Sequence, residues 1–128
     1  MIAGVGSDIC NIERIAGSWQ RFGNRFVLRC YGAEERRELP PVADEKKYIA
    51  SLAKRFAAKE AFSKALGTGF KNGLAWAEIE VLHYGDGRPY ISLSGRAAEL
   101  AAAKGMKQIW LSLSDDYPFA QAVVIIEA

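Results

Sequence analysis

The sequence predicts an α+β fold in which a helix-rich N-terminal half packs on a mostly antiparallel sheet. Three observations lead there. Apolar residues recur at helical spacing through most of residues 11–66, the pattern of helices with one buried face. Beyond Gly73 the period falls to two. Turn residues, Gly85-Asp86-Gly87 and Asp115-Asp116-Tyr117-Pro118, then separate the alternating segments as antiparallel connections require. Residues 1–128 are read as a single domain, long enough to bury a core without disulfides or metals.

Ile2 to Ile9 reads as a strand. Gly4 and Gly6 weaken it but allow another backbone to approach closely, and Asp8 falls at its C-terminal end. A helix follows from Asn11, its expected cap, to Phe22, with Ile12, Ile15, Ala16, Trp19 and Phe22 as the buried stripe. Its other side carries Arg14, Ser18 and Arg21, a line that continues through Arg25 and Arg29 with no acid on it. Such a stripe is either a solvated face or a docking surface for an acidic partner.

Ala33 to Leu39 forms a short charged helix stopped by Pro40-Pro41. Asp44 caps a long helix to Leu66 through Tyr48, Ile49, Leu52, Ala53 and Phe56, and a glycine-marked loop runs on to Leu74. Ala75 to Tyr84 and Pro89 to Leu93 read as a hairpin. Ser94 caps a helix from Gly95 to Lys104. Gln108 to Ser114 and Ala120 to Glu127 complete the sheet. Ala122 to Ile126 is apolar on both sides, the pattern of a strand buried on both faces, against a helix layer or another subunit.

The totals exclude several classes. A net charge of +2 does not suit a general nucleic-acid binder, and no apolar run is long enough to span a membrane. The first residues, with Asp8 so early, do not resemble a secretion signal. Cys10 and Cys30, without a CxxC pair, read as reduced thiols of a cytoplasmic protein rather than zinc ligands. His83 is the single histidine, stands near a strand end without a nucleophile elbow, and reads as structural.

Chemistry concentrates in Arg55 to Gly69. Ala58, Phe62, Ala65 and Leu66 face a core, whereas Glu60 and Lys64, four apart, project together from another side. An anionic ligand and a fixed cation thus stand beside a glycine turn expected to offer free backbone N–H groups, parts suited to a metal-bound phosphate. The same pair also serves as an ordinary helix stabiliser of about 0.2–0.5 kcal/mol, so a second carboxylate decides between the readings. Asp8 is that candidate.

The segments Gly4-Val5-Gly6-Ser7-Asp8-Ile9, Ile12-Glu13-Arg14-Ile15, Lys54-Arg55-Phe56-Ala57-Ala58-Lys59-Glu60-Ala61 and Lys64-Ala65-Leu66-Gly67-Thr68-Gly69 together resemble the holo-[acyl-carrier-protein] synthases, the small 4′-phosphopantetheinyl transferases. The resemblance extends through Gly87-Arg88-Pro89, Leu93-Ser94-Gly95 and the last strand. It implies that coenzyme A donates its phosphopantetheine arm to a serine of an acidic acyl carrier protein, with 3′,5′-ADP leaving. It further implies Mg²⁺ held by Asp8 and Glu60, with Lys64 stabilising the phosphoryl oxygens. The serine proton passes either to Glu60 or to a water beside it. Ser63 and the turn Gly67-Thr68-Gly69 would lie along the coenzyme A phosphates, with Arg55 in the same cofactor-binding segment. Lys59 either reaches a phosphate or is solvated.

Arg14, Arg21 and Arg25, with Phe22 as an apolar contact, are the carrier-docking positions the resemblance implies, and a homotrimer with sites between subunits is its expected assembly. One position departs from the family: Ser114 is followed by Asp115, where many members have a histidine that helps bind the nucleotide. Two other readings compete. A carrier-binding module without activity predicts loss of Asp8, Glu60 or Lys64, yet all three are present. A Mg²⁺-dependent pyrophosphatase leaves the arginine stripe unexplained.

Overall fold

The computed structural model describes residues 1–71 and 73–128. Strand β1 (Ile2–Asn11) leads into α1 (Ile12–Phe22), α2 (Asn24–Cys30), α3 (Ala33–Arg37) and the long α4 (Glu45–Leu66). A single 3₁₀ turn (Trp76–Glu78) precedes the hairpin β2 (Ile79–His83) and β3 (Pro89–Leu93), then α5 (Gly95–Ala103), β4 (Gln108–Asp116) and β5 (Phe119–Glu127). The N-terminal strand crosses to the end of the chain, giving an antiparallel sheet in the order β1-β5-β4. Gly6 pairs with Val124 and Asp8 with Ala122, while Ile125 stands between Val5 and Trp110. The hairpin forms a separate two-stranded sheet.

α4 lies across one face of the three-stranded sheet. Its Ala57, Ala58, Ala61, Phe62 and Leu66 are buried in one core with Cys10, Ala120, Ala122, Val124 and Ile126 of the strands. The alanines and glycines make this contact unusually close. A Cβ on Gly6 would stand 2.0 Å from the Ala61 carbonyl oxygen, and one on Gly4 2.1 Å from that of Ala65. The helix therefore rests on the bare backbone of β1. Gly6→Ala should cost about 1–3 kcal/mol, since rigid backbone must retreat from the added methyl. Urea denaturation of the variant measures that cost.

Several expectations change. The first helix ends at Phe22 as expected, but Gly23, at φ 55°, is followed at once by a second, so Arg14, Ser18 and Arg21 belong to α1 and Arg25 and Arg29 to α2. The strand expected from Ala75 starts at Ile79, because the 3₁₀ turn takes the preceding residues. Ser94 occupies the cap position of α5 without a side-chain bond. Instead the Glu78 carboxylate accepts the Arg96 and Ala97 N–H groups at 3.1 and 3.3 Å. Asp44 likewise caps α4 without its side chain. Asn11 does cap α1, accepting from the Glu13 N–H at 2.9 Å.

The last strand is covered on one face only. The other face of the sheet exposes Val5 at 60 %, Ile9 at 63 %, Trp110 at 50 % and Phe119 at 47 %. Large apolar groups clustered in this way mark a surface for association rather than for water.

Candidate active site

Asp8 and Glu60 converge. Gly4, Gly6 and Asp8 alternate along β1, so all three point toward α4, and the two glycines hold the strand against the helix. At the end of this contact the Lys64 ammonium donates to Asp8 Oδ1 at 2.8 Å and to the Ser7 carbonyl at 3.0 Å. Glu60 stands one turn earlier on α4. Partial burial and the charge of Asp8 raise its carboxyl pKa, against the opposing pull of Lys64 and Arg14. The Asp8 bond in turn raises the Lys64 pKa. The sequence assigned Arg14 only to docking. Its closeness to Glu60 gives it a second place at the site, and the signal was its position six residues beyond Asp8, across the strand-to-helix turn.

Two carboxylates that repel each other fit a divalent cation. No described residue donates a hydrogen bond to the Glu60 carboxylate, so its oxygens are open to a ligand. Among the described residues no cluster of three or more His, Cys, Asp or Glu side chains forms a metal cage. Two oxygen donors with room for water and phosphate are what magnesium takes, whereas zinc needs three or four protein ligands.

The turn after α4 differs from the expected phosphate cradle. Gly67, at φ 89°, ends the helix in the left-handed conformation that glycine adopts freely. Its N–H donates to the Ser63 and Lys64 carbonyls, and the Gly69 N–H donates to Ser63 as well. Those two donors are therefore engaged with the helix end. The Lys104 ammonium, from the end of α5, also donates to the Leu66 carbonyl at 2.6 Å.

The whole chain is 50 % identical over 132 residues to the holo-[acyl-carrier-protein] synthase of Paramagnetospirillum magneticum, covering 98 % of that protein. Residues 4–122 match the model of the 4′-phosphopantetheinyl transferase superfamily. The chain belongs to that superfamily. Its fold matches the crystal structure of holo-[acyl-carrier-protein] synthase from Neisseria meningitidis, with TM-score 0.89, 34 % identity and 100 % of both chains covered. A second match is the Helicobacter pylori synthase in complex with coenzyme A, with TM-score 0.80, 32 % identity and 96 % of this chain and 99 % of that one covered. The chain is thus an enzyme, a phosphopantetheinyl transferase of mixed α+β fold.

Three residues of the expected cofactor-binding set lie inside this transferase. Lys59 is fully buried, neither solvated nor open to a phosphate. Its ammonium pairs with Glu35 at 2.7 Å and donates to the carbonyls of Trp76 and Ile79. Burial pulls its pKa down, and the Glu35 charge offsets part of that. Arg55 is 3 % exposed, donates to the Val81 carbonyl and stands 3.7 Å from both Glu35 and Glu38. The Ser63 hydroxyl is buried and donates to the Glu60 carbonyl at 2.7 Å. Helical spacing explains the difference: residues 55, 59, 62 and 66 share the inner face of α4, whereas 60 and 64 fall on the rim.

The arginines of the transferase reach the surface as expected. Arg14, Arg21, Arg25 and Arg29 are exposed, and Phe22, expected in the buried stripe of α1, is instead 45 % exposed among them because the helix ends there, with Leu28 at 51 %. Arg21 stacks over the Phe22 ring at 5.1 Å. The His83 Nδ1 stands 2.9 Å from a Glu38 carboxylate oxygen. Asp115, at the departure from the family pattern, is 3.3 Å from Lys54. A cleft of about 370 Å³ lies beside this pair, with Lys47, Lys54 and Arg55 in its wall. No described helix is long and apolar enough to cross a membrane.

Proposed function

We propose that this transferase moves the 4′-phosphopantetheine arm of coenzyme A to a serine of an apo acyl carrier protein in a Mg²⁺-dependent reaction, as one domain spanning residues 1–128. The observation that carries the reading is the convergence of Asp8, Glu60 and Lys64 on the rim of α4. The names of the relatives and the coenzyme A complex of the H. pylori synthase support the substrates.

Asp8 and Glu60 would hold Mg²⁺, which when bound neutralises charge on the pyrophosphate. Lys64, a mobile point charge, stabilises the equatorial oxygens of the phosphoryl group in flight. The serine oxygen attacks the phosphorus next to pantetheine. The P–O bond to the nucleotide breaks, and 3′,5′-ADP leaves with the electron pair. The serine proton passes to the Glu60 carboxylate or to a water beside it.

The carrier docks on the basic surface of α1 and α2. Arg14 stands where docking and chemistry meet, so Arg21 and Arg25 test docking more cleanly. Arg21→Ala with Arg25→Ala should raise the carrier KM about five- to tenfold, two exposed pairs of about 0.2–1 kcal/mol each, and leave the coenzyme A KM unchanged. Steady-state kinetics over a salt series reads this, the two enzymes converging as salt screens the wild-type contact.

The exposed apolar sheet face supports a homo-oligomer, as expected for a trimer, and analytical ultracentrifugation measures it. Two buried free thiols support a cytoplasmic setting. The function itself is tested by mass spectrometry of apo carrier incubated with coenzyme A, Mg²⁺ and this protein. The carrier should gain the phosphopantetheine mass. Binding without modification, or hydrolysis of coenzyme A without carrier, would overturn the reading.

A further inference from the structure

We propose that Lys104 is a second phosphate-binding cation of the site, contacting the pyrophosphate of coenzyme A across the Gly67 turn. The inference rests on the transferase reading above and adds a residue to it. The C-terminal end of a helix is electrically negative, with about half an elementary charge of exposed carbonyl oxygen, and it repels phosphate. The Gly67 and Gly69 N–H groups do not offset this, because they point back to the Ser63 and Lys64 carbonyls. Lys64 is drawn toward Asp8 and the Ser7 carbonyl, on the strand side of the helix. A phosphate placed along the turn therefore needs a cation from elsewhere.

Lys104 supplies it. Its ammonium sits 2.6 Å from the Leu66 carbonyl oxygen and 3.5 Å from where a Cβ on Gly67 would stand. One of its three N–H donors satisfies Leu66, which leaves two for a ligand. The residue as a whole is exposed, and its bond to Leu66 is only partly buried. Its position is set before any ligand arrives. The Lys104 N–H closes α5 onto the carbonyls of Leu100 and Ala101, and Gly105, at φ 69°, turns the chain away toward β4. At 3.5 Å from that Cβ position the ammonium lies in ordinary contact range of the Gly67 turn.

The test compares binding of coenzyme A and dephospho-coenzyme A by calorimetry, with Mg²⁺, in the wild type, Lys104→Gln and Lys104→Arg. Glutamine keeps an N–H donor for Leu66 but removes the charge, whereas arginine keeps both. Lys104→Gln should raise the Kd about tenfold for both ligands, the loss expected for a charged hydrogen bond to phosphate. Lys104→Arg should stay within about twofold, because its guanidinium still meets phosphate. Thermal melts of the three proteins should agree, which separates lost contact from a loosened turn. Equal affinities in wild type and Lys104→Gln overturn the proposal. A loss confined to coenzyme A also overturns it, because it would place Lys104 at the 3′-phosphate. These results fall on Lys104 alone as long as the wild type modifies the carrier; a wild type that does not would mean the transferase reading itself has failed.

Discussion

Glu60→Gln is expected to lower kcat by about 10²–10³-fold, the range found when one group that stabilises transition-state charge is removed. The amide keeps the shape of the side chain but is a poor ligand for a hard cation and cannot accept the serine proton. The effect should fall on turnover at saturating carrier and persist at high Mg²⁺. Titration calorimetry with Mg²⁺ should show weaker binding independently of activity. The fold should not suffer. Burial and Asp8 raise the Glu60 pKa in the folded chain, so its ionisation opposes folding. Wild-type stability without metal then falls as pH rises from the ordinary carboxylate range through the raised value, and glutamine escapes that loss. In melts without Mg²⁺, Glu60→Gln should be the more stable protein at about pH 7, and its advantage should shrink toward about pH 4. Undiminished turnover would remove Glu60 from the chemistry.

Glu35→Leu should be the most destabilising single change in the molecule, at about 3–5 kcal/mol, because it leaves a buried cation without its partner. Glu35 is fully buried on a helix of five residues, yet it joins three elements. It accepts from Lys59 of α4 at 2.7 Å, from the Val81 N–H of β2 at 3.0 Å and from the Gly32 N–H at 3.2 Å. Without it Lys59 keeps only carbonyl partners, and two N–H groups lose their acceptor. Lys59→Met should cost less, since Arg55 remains 3.7 Å from Glu35. Urea denaturation of both single variants and the double variant measures the coupling. An additive cycle would mean that the pair is not an energetic unit. Activity of whatever folded protein survives should be near normal, because the network faces the interior and Glu60 faces the rim.

Much of the site was legible before folding. Glu60 and Lys64 share a helix face by spacing alone, and local geometry suffices for that. The glycines that let β1 approach α4 were visible, and their alternation with Asp8 also carried its direction. Where local reading failed, the cause was an interaction between segments distant in sequence. Lys59 and Arg55 look like surface cations until Glu35, some twenty residues earlier, draws them inward. Ser94 is a plausible cap, but Glu78 reaches the same N–H groups from another element. Ala75 to Glu78 alternates like a strand, yet a 3₁₀ turn takes it. The end of the first helix at Phe22 was legible, but not that a second helix starts just beyond Gly23 and carries Arg25 and Arg29.

The order of residues alone determined the class of fold, the long helix with its glycine stop and the two carboxylates with their lysine. These follow from periodicity, capping and family resemblance, all of which are properties of the chain read in line. Tertiary structure decided which face of α4 each charged residue occupies in three dimensions and which distant groups it meets there. It brought Asp8 to Glu60 through a glycine contact in which a Cβ would stand only 2.0 Å from a helix carbonyl oxygen, and set Lys104 on the end of a helix 38 residues away. Electrostatic partners are chosen by proximity in space, and only the packed core fixes that.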